Sequence, residues 1–346
     1  MLLTLSARAL KNKLAPGAKP ALKLTDLPTF ARNELGLTGM VMFTDLLAGQ
    51  DRQGLSKVLE AADKAGCPCL VLIEPNPLAL ADSDEVKVQA ALERCMRIAQ
   101  AAAWLGCAAF SIPVIAKTEE DLIEAAFNLK PISRRAEKLE LNMCIQPCSG
   151  ATDTPEAVTD LLKKIGGFRV GTLPDCGQAM KSGDAAAYLR RLAPYASAIL
   201  MPVGIENQTA KFVAQKKKPA KVKAAVEDDE DDPEKPKLKA KGKKAKPTDG
   251  AASAAAEAVM SAISAKTTPA TSGVMDFGAL LDVLLTVGYD GPLALDYVGH
   301  GDPVAALKAT RDAIIRETGL GPEEEDETLD DLLIDLPENT IKDIRE

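Results

Sequence analysis

Aromatic residues and histidine are scarce in this sequence. Phe, Trp and Tyr together make up 3% of the 346 residues, and the chain contains a single histidine, His300. Because 46% of the residues are hydrophobic, the chain can still bury a large core, which leucine, valine, isoleucine and alanine must fill. A site built from several histidines is excluded.

Long apolar runs are also missing. No run approaches the roughly 20 apolar residues that cross a bilayer, and the segment 1–6 is too short for a secretory signal. The seven cysteines are odd in number and lie mostly in apolar, strand-like runs, which argues against a secreted disulfide framework. We therefore expect a cytoplasmic protein that does not enter a membrane.

The sequence also has no excess of positive charge. The formal net charge is -8, which argues against nucleic acid as a specific partner. The charge is concentrated in residues 211–272, where two lysine-rich runs flank the acidic block 227–232. Such a segment cannot bury enough apolar surface to offset its ordering entropy, so the composition predicts a disordered insertion.

Short apolar strands alternate with amphipathic helices over the rest of the chain, a pattern typical of parallel βα units. The predicted strands are 2–6, 38–43, 67–74, 107–114, 141–146, 169–175, 196–202 and 292–297. The predicted helices are 53–65, 85–105, 119–139, 155–165, 184–192, 277–287 and 303–318. Eight strands are what a closed barrel needs, so the pattern predicts an α/β protein with a (β/α)8 TIM barrel.

The predicted organisation has four parts. Residues 1–210 supply strands one to seven, 211–272 form the insertion after strand seven, 273–320 complete the barrel, and 321–346 are an acidic tail. The tail carries a hydrophobic edge and either docks on the barrel or another chain or stays solvated. A homo-oligomer or protein partner through the insertion or tail is left open. A doubly wound open sheet is the alternative fold, but no glycine-rich phosphate motif follows strand one.

Function in such barrels lies at the carboxyl ends of the strands. The polar residues at these positions are Asp45, Glu74, Asn76, Gln146, Asp175 and Asp296. Side chains alternate along a strand, so Asp175 and Asp296 both point inward if Ala294 lines the barrel.

Three segments resemble the xylose-isomerase-like barrels, which include sugar isomerases, sugar-phosphate epimerases and family-2 apurinic endonucleases. They are Val287-Gly-Tyr-Asp-Gly-Pro-Leu-Ala-Leu-Asp-Tyr-Val-Gly-His-Gly-Asp-Pro303, Phe30-Ala-Arg-Asn-Glu-Leu-Gly-Leu37 and Arg169-Val-Gly-Thr-Leu-Pro-Asp175. The resemblance covers nearly the whole chain outside the insertion and tail. It implies proton transfer next to a carbonyl of a small sugar or polyol, assisted by a divalent metal.

The resemblance also implies a set of site residues. Family members hold the metal with a glutamate from strand five, an aspartate from strand six, a histidine near strand seven and a glutamate from strand eight. Here Asp175 matches the aspartate, Asp296 replaces the last glutamate, Gln146 replaces the first, and strand seven has no histidine. We expect Gln146, Asp175 and Asp296 to be the metal ligands, and these oxygen donors favour Mg²⁺ or Mn²⁺. Glu74, Asp296 and His300 are the candidates for proton transfer.

Each candidate also has a structural interpretation. Asp175 could cap a turn, Asp296 could accept from loop amides, Gln146 could be a buried hydrogen-bonding amide, and His300 could be an exposed loop residue. A noncatalytic barrel that serves as a binding or scaffolding module is therefore the alternative function. The DNA-repair branch of the family uses several metals held by numerous histidines, so the single His300 excludes it.

Overall fold

The computed structural model describes residues 1–15, 17–18, 20–148, 150, 152–204 and 277–319. The predicted insertion 211–272 and the tail 321–346 lie outside the described residues, so their disorder and the four-part organisation stay predictions. None of the described helices is both long and apolar enough to span a membrane.

Eight parallel strands form one sheet, in which the first strand pairs with the second on one side and the eighth on the other. They are β1 Leu2–Ser6, β2 Met40–Phe43, β3 Cys69–Ile73, β4 Ala109–Pro113, β5 Asn142–Gln146, β6 Val170–Thr172, β7 Ile199–Val203 and β8 Pro292–Tyr297. Isolated bridges between Thr172 and Ala196 and between Asp175 and Leu200 join β6 to β7 and close the barrel. The predicted (β/α)8 fold is confirmed.

Helices follow the strands around the barrel. They are α1 Lys11–Leu14, α2 Leu27–Thr29, α3 Arg52–Ala65, α4 Glu85–Trp104, α5 Glu119–Lys138, α6 Pro155–Ile165, α7 Cys176–Lys181, α8 Ala185–Leu192, α9 Phe277–Val287 and α10 Pro303–Thr318. Short turns of other helix types occupy Ala7–Leu10, Leu24–Asp26, Phe30–Glu34, Thr44–Leu47 and Ala193–Tyr195. Caps fix the helix starts; at α5 the Thr118 and Asp121 side chains form a reciprocal capping box.

The core has two layers. Small and medium side chains fill the barrel interior: Val41, Phe43, Val71, Ile73, Ala109, Cys144, Leu173, Ala198, Leu200 and Ala294. The alternate strand residues pack against the helices in a larger second cluster. Ala294 lies in the inner layer, so Asp296, two residues later on β8, faces the same side.

All seven cysteines are free thiols, and all except the half-buried Cys148 are buried. Burial raises the pKa of the Cys67 thiol to about 11 and that of Cys95 to about 12, and it also raises the pKa of Cys148. Because the thiolate is the reactive form, we expect at most one thiol, Cys148, to be alkylated in the native protein at pH 8. Mass spectrometry should then find all seven alkylated after unfolding in guanidinium, and several fast native thiols would contradict the buried positions.

Candidate active site

Asp296, near the carboxyl end of β8, is held in place by Ser6, the last residue of β1, and by Arg8, two residues further on. The Ser6 hydroxyl donates to Asp296 Oδ1 at 2.7 Å, and the Arg8 guanidinium forms an ion pair with Oδ2. Asp296 is only 3% exposed. Its carboxylate is therefore held by side chains from β1 and its following turn, which is possible because β1 and β8 are neighbours in the sheet.

Arg8 is the central cation of the site. Its guanidinium lies 4.7 Å from the centre of the Phe43 ring, and its side chain is 41% exposed. Burial disfavours its charge, but the Asp296, Asp175 and Asp45 carboxylates outweigh that effect and raise the pKa of Arg8. Arg8 is therefore a permanent positive charge with part of its surface open to the barrel mouth.

Asp175 lies three residues after β6 and directly before α7. Its Oδ1 accepts from the Gly177 backbone N–H at 2.6 Å, so it caps α7 as the structural interpretation expected. Burial and the nearby Asp296 charge raise the pKa of its carboxyl group, against the opposing effects of Gly177 and Arg8. Asp175 is half-buried and holds a proton more readily than an ordinary aspartate.

Gln146 ends β5, two residues after Cys144, which lines the barrel interior. Its side-chain oxygen Oε1 is buried and has no hydrogen-bond partner among the described residues. A buried carbonyl oxygen without a donor costs free energy, so it is an acceptor ready for a ligand group. The alternation of side chains along β5 directs Gln146 to the same side as Cys144.

Glu74 belongs to a different cluster. It follows Ile73, which lines the barrel interior, and its own side chain is 1% exposed. Glu74 Oε2 accepts from Arg94 Nε at 2.7 Å and from the Thr44 hydroxyl at 3.0 Å, while Asn76 donates its backbone and amide N–H groups to Oε1. These donors engage both oxygens, and Arg94 belongs to the outer helix α4.

His300 is exposed in the loop after β8. It lines a groove of about 650 Å³ together with Asn12, Lys13, Tyr297 and Asp302. None of the described hydrogen bonds or ion pairs joins His300 to Arg8, Asp175 or Asp296. The described contacts join Arg8 to Asp296, and the charges of Arg8 and Asp296 both act on Asp175. The described partners of Glu74 are Arg94, Thr44 and Asn76.

The residues at the mouth do not fit a divalent ion alongside Arg8. Asp296 already accepts from Arg8 and Ser6, and Asp175 Oδ1 accepts from Gly177. Among the described residues, no three or more His, Cys, Asp or Glu side chains are arranged to hold a metal. Gln146 Oε1 is a free oxygen donor, but the cation beside the carboxylates is the guanidinium.

Sequence reasoning missed Arg8. The residue comes two positions after the predicted first strand, and the rule applied to the other strand ends would have selected it. No local pattern identifies its partner, because Arg8 and Asp296 are 288 positions apart.

The sequence model of the xylose isomerase-like TIM barrel family matches residues 31–317, and the chain belongs to this family. The fold is similar to L-ribulose 3-epimerase, with a TM-score of 0.63 and 12% identity over 91% of this chain and 94% of that one. It is also similar to 3-keto-D-glucoside 4-epimerase YcjR from E. coli, with a TM-score of 0.59 and 13% identity over 92% of this chain and 98% of that one.

A third similar structure is the probable 3-DHS dehydratase AsbF from Bacillus anthracis, with a TM-score of 0.60 and 13% identity over 91% of this chain and 98% of that one. No curated protein sequence matches the chain. At these identities the structural similarity establishes the shared barrel alone.

Proposed function

We propose that this protein transfers a proton next to the carbonyl of a small sugar or polyol, as an isomerase or epimerase. The observation that carries the proposal is the pair of carboxyl groups at the barrel mouth. Asp296 is held by a cation and a hydroxyl group, whereas burial and the Asp296 charge raise the pKa of Asp175. Two titratable groups in such different surroundings are suited to different roles in acid–base chemistry.

The roles follow from the contacts. Asp175 is the group that gives or accepts the proton, since its raised pKa brings it closer to neutral pH. Arg8 is partly exposed and donates its free N–H groups to the substrate carbonyl oxygen. Its ion pair with Asp296, whose other oxygen accepts from Ser6, holds the guanidinium in place. Gln146 Oε1 accepts from a substrate hydroxyl.

The choice of a sugar rests on family membership and on the chemistry of these donors and acceptors. Similar barrels include an L-ribulose 3-epimerase and a 3-keto-D-glucoside 4-epimerase. A charged donor at the end of β1 and an unpaired acceptor oxygen at the end of β5 suit a substrate that carries both a carbonyl and hydroxyl groups. The proposal assigns no step to Glu74, whose oxygens accept from Arg94, Thr44 and Asn76, or to His300, for which no hydrogen bond or ion pair is described.

The test is solvent hydrogen exchange. The protein is incubated in D2O with ketoses such as D-fructose, D-tagatose and L-ribulose, and NMR follows deuterium at the carbon next to the carbonyl. We expect exchange by the parent protein and a loss of about 10²–10⁴-fold in Asp175→Asn. Asparagine keeps the α7 cap, so the loss reports the titrating carboxyl group rather than the helix.

Asp184→Asn is the matched control. Asp184 caps α8 through its hydrogen bond from the Ala187 N–H, and it is exposed. We expect it to keep full exchange activity. Equal losses in the two variants would contradict the role assigned to Asp175.

A noncatalytic sugar-binding barrel is the second candidate, because the Arg8–Asp296 pair satisfies both charges without a substrate. It predicts a rise in melting temperature with one of these sugars and no exchange by the parent protein. That combination would replace the isomerase proposal.

A further inference from the structure

Arg8 is the cation that the chain itself places at the barrel mouth. Its guanidinium is paired with Asp296, and the charges of Asp175 and Asp45 also act on it. The ring of Phe43 covers one side of the guanidinium at 4.7 Å. One carboxylate in direct contact, two further carboxylate charges and an aromatic face therefore favour a positive charge at this position.

We propose that the Arg8 guanidinium permanently takes the place of a divalent ion in this barrel. It neutralises the carboxylates at the mouth and, resting on the proposed function above, presents its free N–H groups to the carbonyl oxygen of the substrate. The protein is then a metal-independent member of a family in which at least one similar barrel, IolI, holds zinc.

The geometry supports this exchange of one cation for another. Arg8 follows β1 and Asp296 is the second-last residue of β8, so neighbouring strands bring the pair to the same end of the barrel. The Ser6 hydroxyl donates to the other Asp296 oxygen at 2.7 Å, so both oxygens of that carboxylate already accept from a donor of the chain. The Asp45 carboxylate is paired with Lys11 at 2.8 Å.

The chemistry of the two cations differs in one useful way. A metal needs several ligands within a narrow range of distances, whereas a guanidinium needs acceptors in its plane and keeps its charge at any pH where proteins fold. Arg8 has five N–H donors, and the described acceptor of its side chain is Asp296. The donors on its exposed side can therefore stabilise negative charge that develops on a carbonyl oxygen.

The experiment measures Mn²⁺ binding rather than turnover. The parent, Arg8→Met, Arg8→Lys and the double variant Arg8→Met/Asp296→Asn are titrated with MnCl2, with binding followed by electron paramagnetic resonance and stability by thermal melting. We expect no stoichiometric binding by the parent or by Arg8→Lys, because both keep the internal cation. Arg8→Met should bind Mn²⁺ and melt roughly 5 °C higher when saturated, and the double variant should lose that response.

Two results would overturn the proposal. One is stoichiometric Mn²⁺ binding by the parent that Asp296→Asn abolishes. The other is a folded Arg8→Met protein that stays silent toward Mn²⁺, since the carboxylates then form no cation site even without Arg8.

If Arg8→Met folds only when Mn²⁺ is present, the exchange of cations is supported directly. If Arg8→Met folds neither with nor without Mn²⁺, the titrations of the parent and Arg8→Lys are the test. Stoichiometric Mn²⁺ binding by either protein overturns the proposal, and no binding by both supports it. These readouts do not depend on catalysis. Failure of the sugar exchange assay would therefore leave the metal result standing, and the reverse also holds.

Discussion

Replacing Arg94 with methionine should lower the free energy of unfolding by about 1–3 kcal/mol, the usual cost of leaving a buried hydrogen-bonding group short of a donor. Glu74 is 1% exposed. Arg94 donates from Nε to Glu74 Oε2 at 2.7 Å, and a terminal guanidinium nitrogen of Arg94 forms an ion pair with the same oxygen at 2.6 Å. Methionine keeps the apolar stem but leaves the carboxylate buried with only Thr44 and Asn76 as donors. Urea denaturation measures the loss.

The Glu74 carboxylate itself provides a test of the cause. Its charge is what Arg94 offsets, so removing the charge together with the cation should leave less to compensate. The double variant Glu74→Gln/Arg94→Met should recover part of the loss at pH 8.

Arg97→Met is the control, because Arg97 is exposed on the same helix and has no described ion pair. It should change the free energy of unfolding by no more than about 0.5 kcal/mol. Equal effects of the two substitutions would show that the Glu74 pair contributes little to stability.

The barrel could be predicted because each strand carries its own local signal. The bounds predicted for β1 and β8 match the structure, and those of α6, α9 and α10 do as well. The strand β6 is shorter than the predicted 169–175, and Pro174 has no N–H with which to extend the ladder. Helix α7 was missed because its six residues are too few to show a helical period.

The candidate site could be predicted only in part, because local sequence signals give the position of a residue but not its contacts. Strand-end positions are local, so the sequence could predict where Asp175 and Asp296 lie, and the inner position of Ala294 satisfies the condition set for their direction. The contacts between these side chains are not local. Packing between distant segments decides which cation pairs with Asp296 and which donors Glu74 contacts after β3. The strand-end position of Arg8 could therefore be predicted from the sequence, but its pairing with Asp296 could not.

The seam between β6 and β7 links the fold to the site. Only isolated bridges join these strands, and one of them pairs Asp175 with Leu200. At Gly171, β6 closely approaches the turn Ala193–Tyr195 that leads into β7, and an added Cβ would lie 2.5 Å from the backbone oxygen of Tyr195. A backbone oxygen cannot move aside as a flexible side chain can, so glycine is needed there for barrel closure.

Gly171→Ala should therefore destabilise the protein by about 1–3 kcal/mol through overpacking, as measured by urea denaturation. It should also reduce sugar exchange, because the same seam positions Asp175. Gly54→Ala in α3 is the matched control: its new Cβ would meet the flexible end of Gln50, which can rotate away. Alanine there should be neutral or stabilise the helix by up to about 1 kcal/mol. Equal stability of the two variants would mean that the seam adjusts without cost and that close approach at Gly171 does not hold the barrel closed.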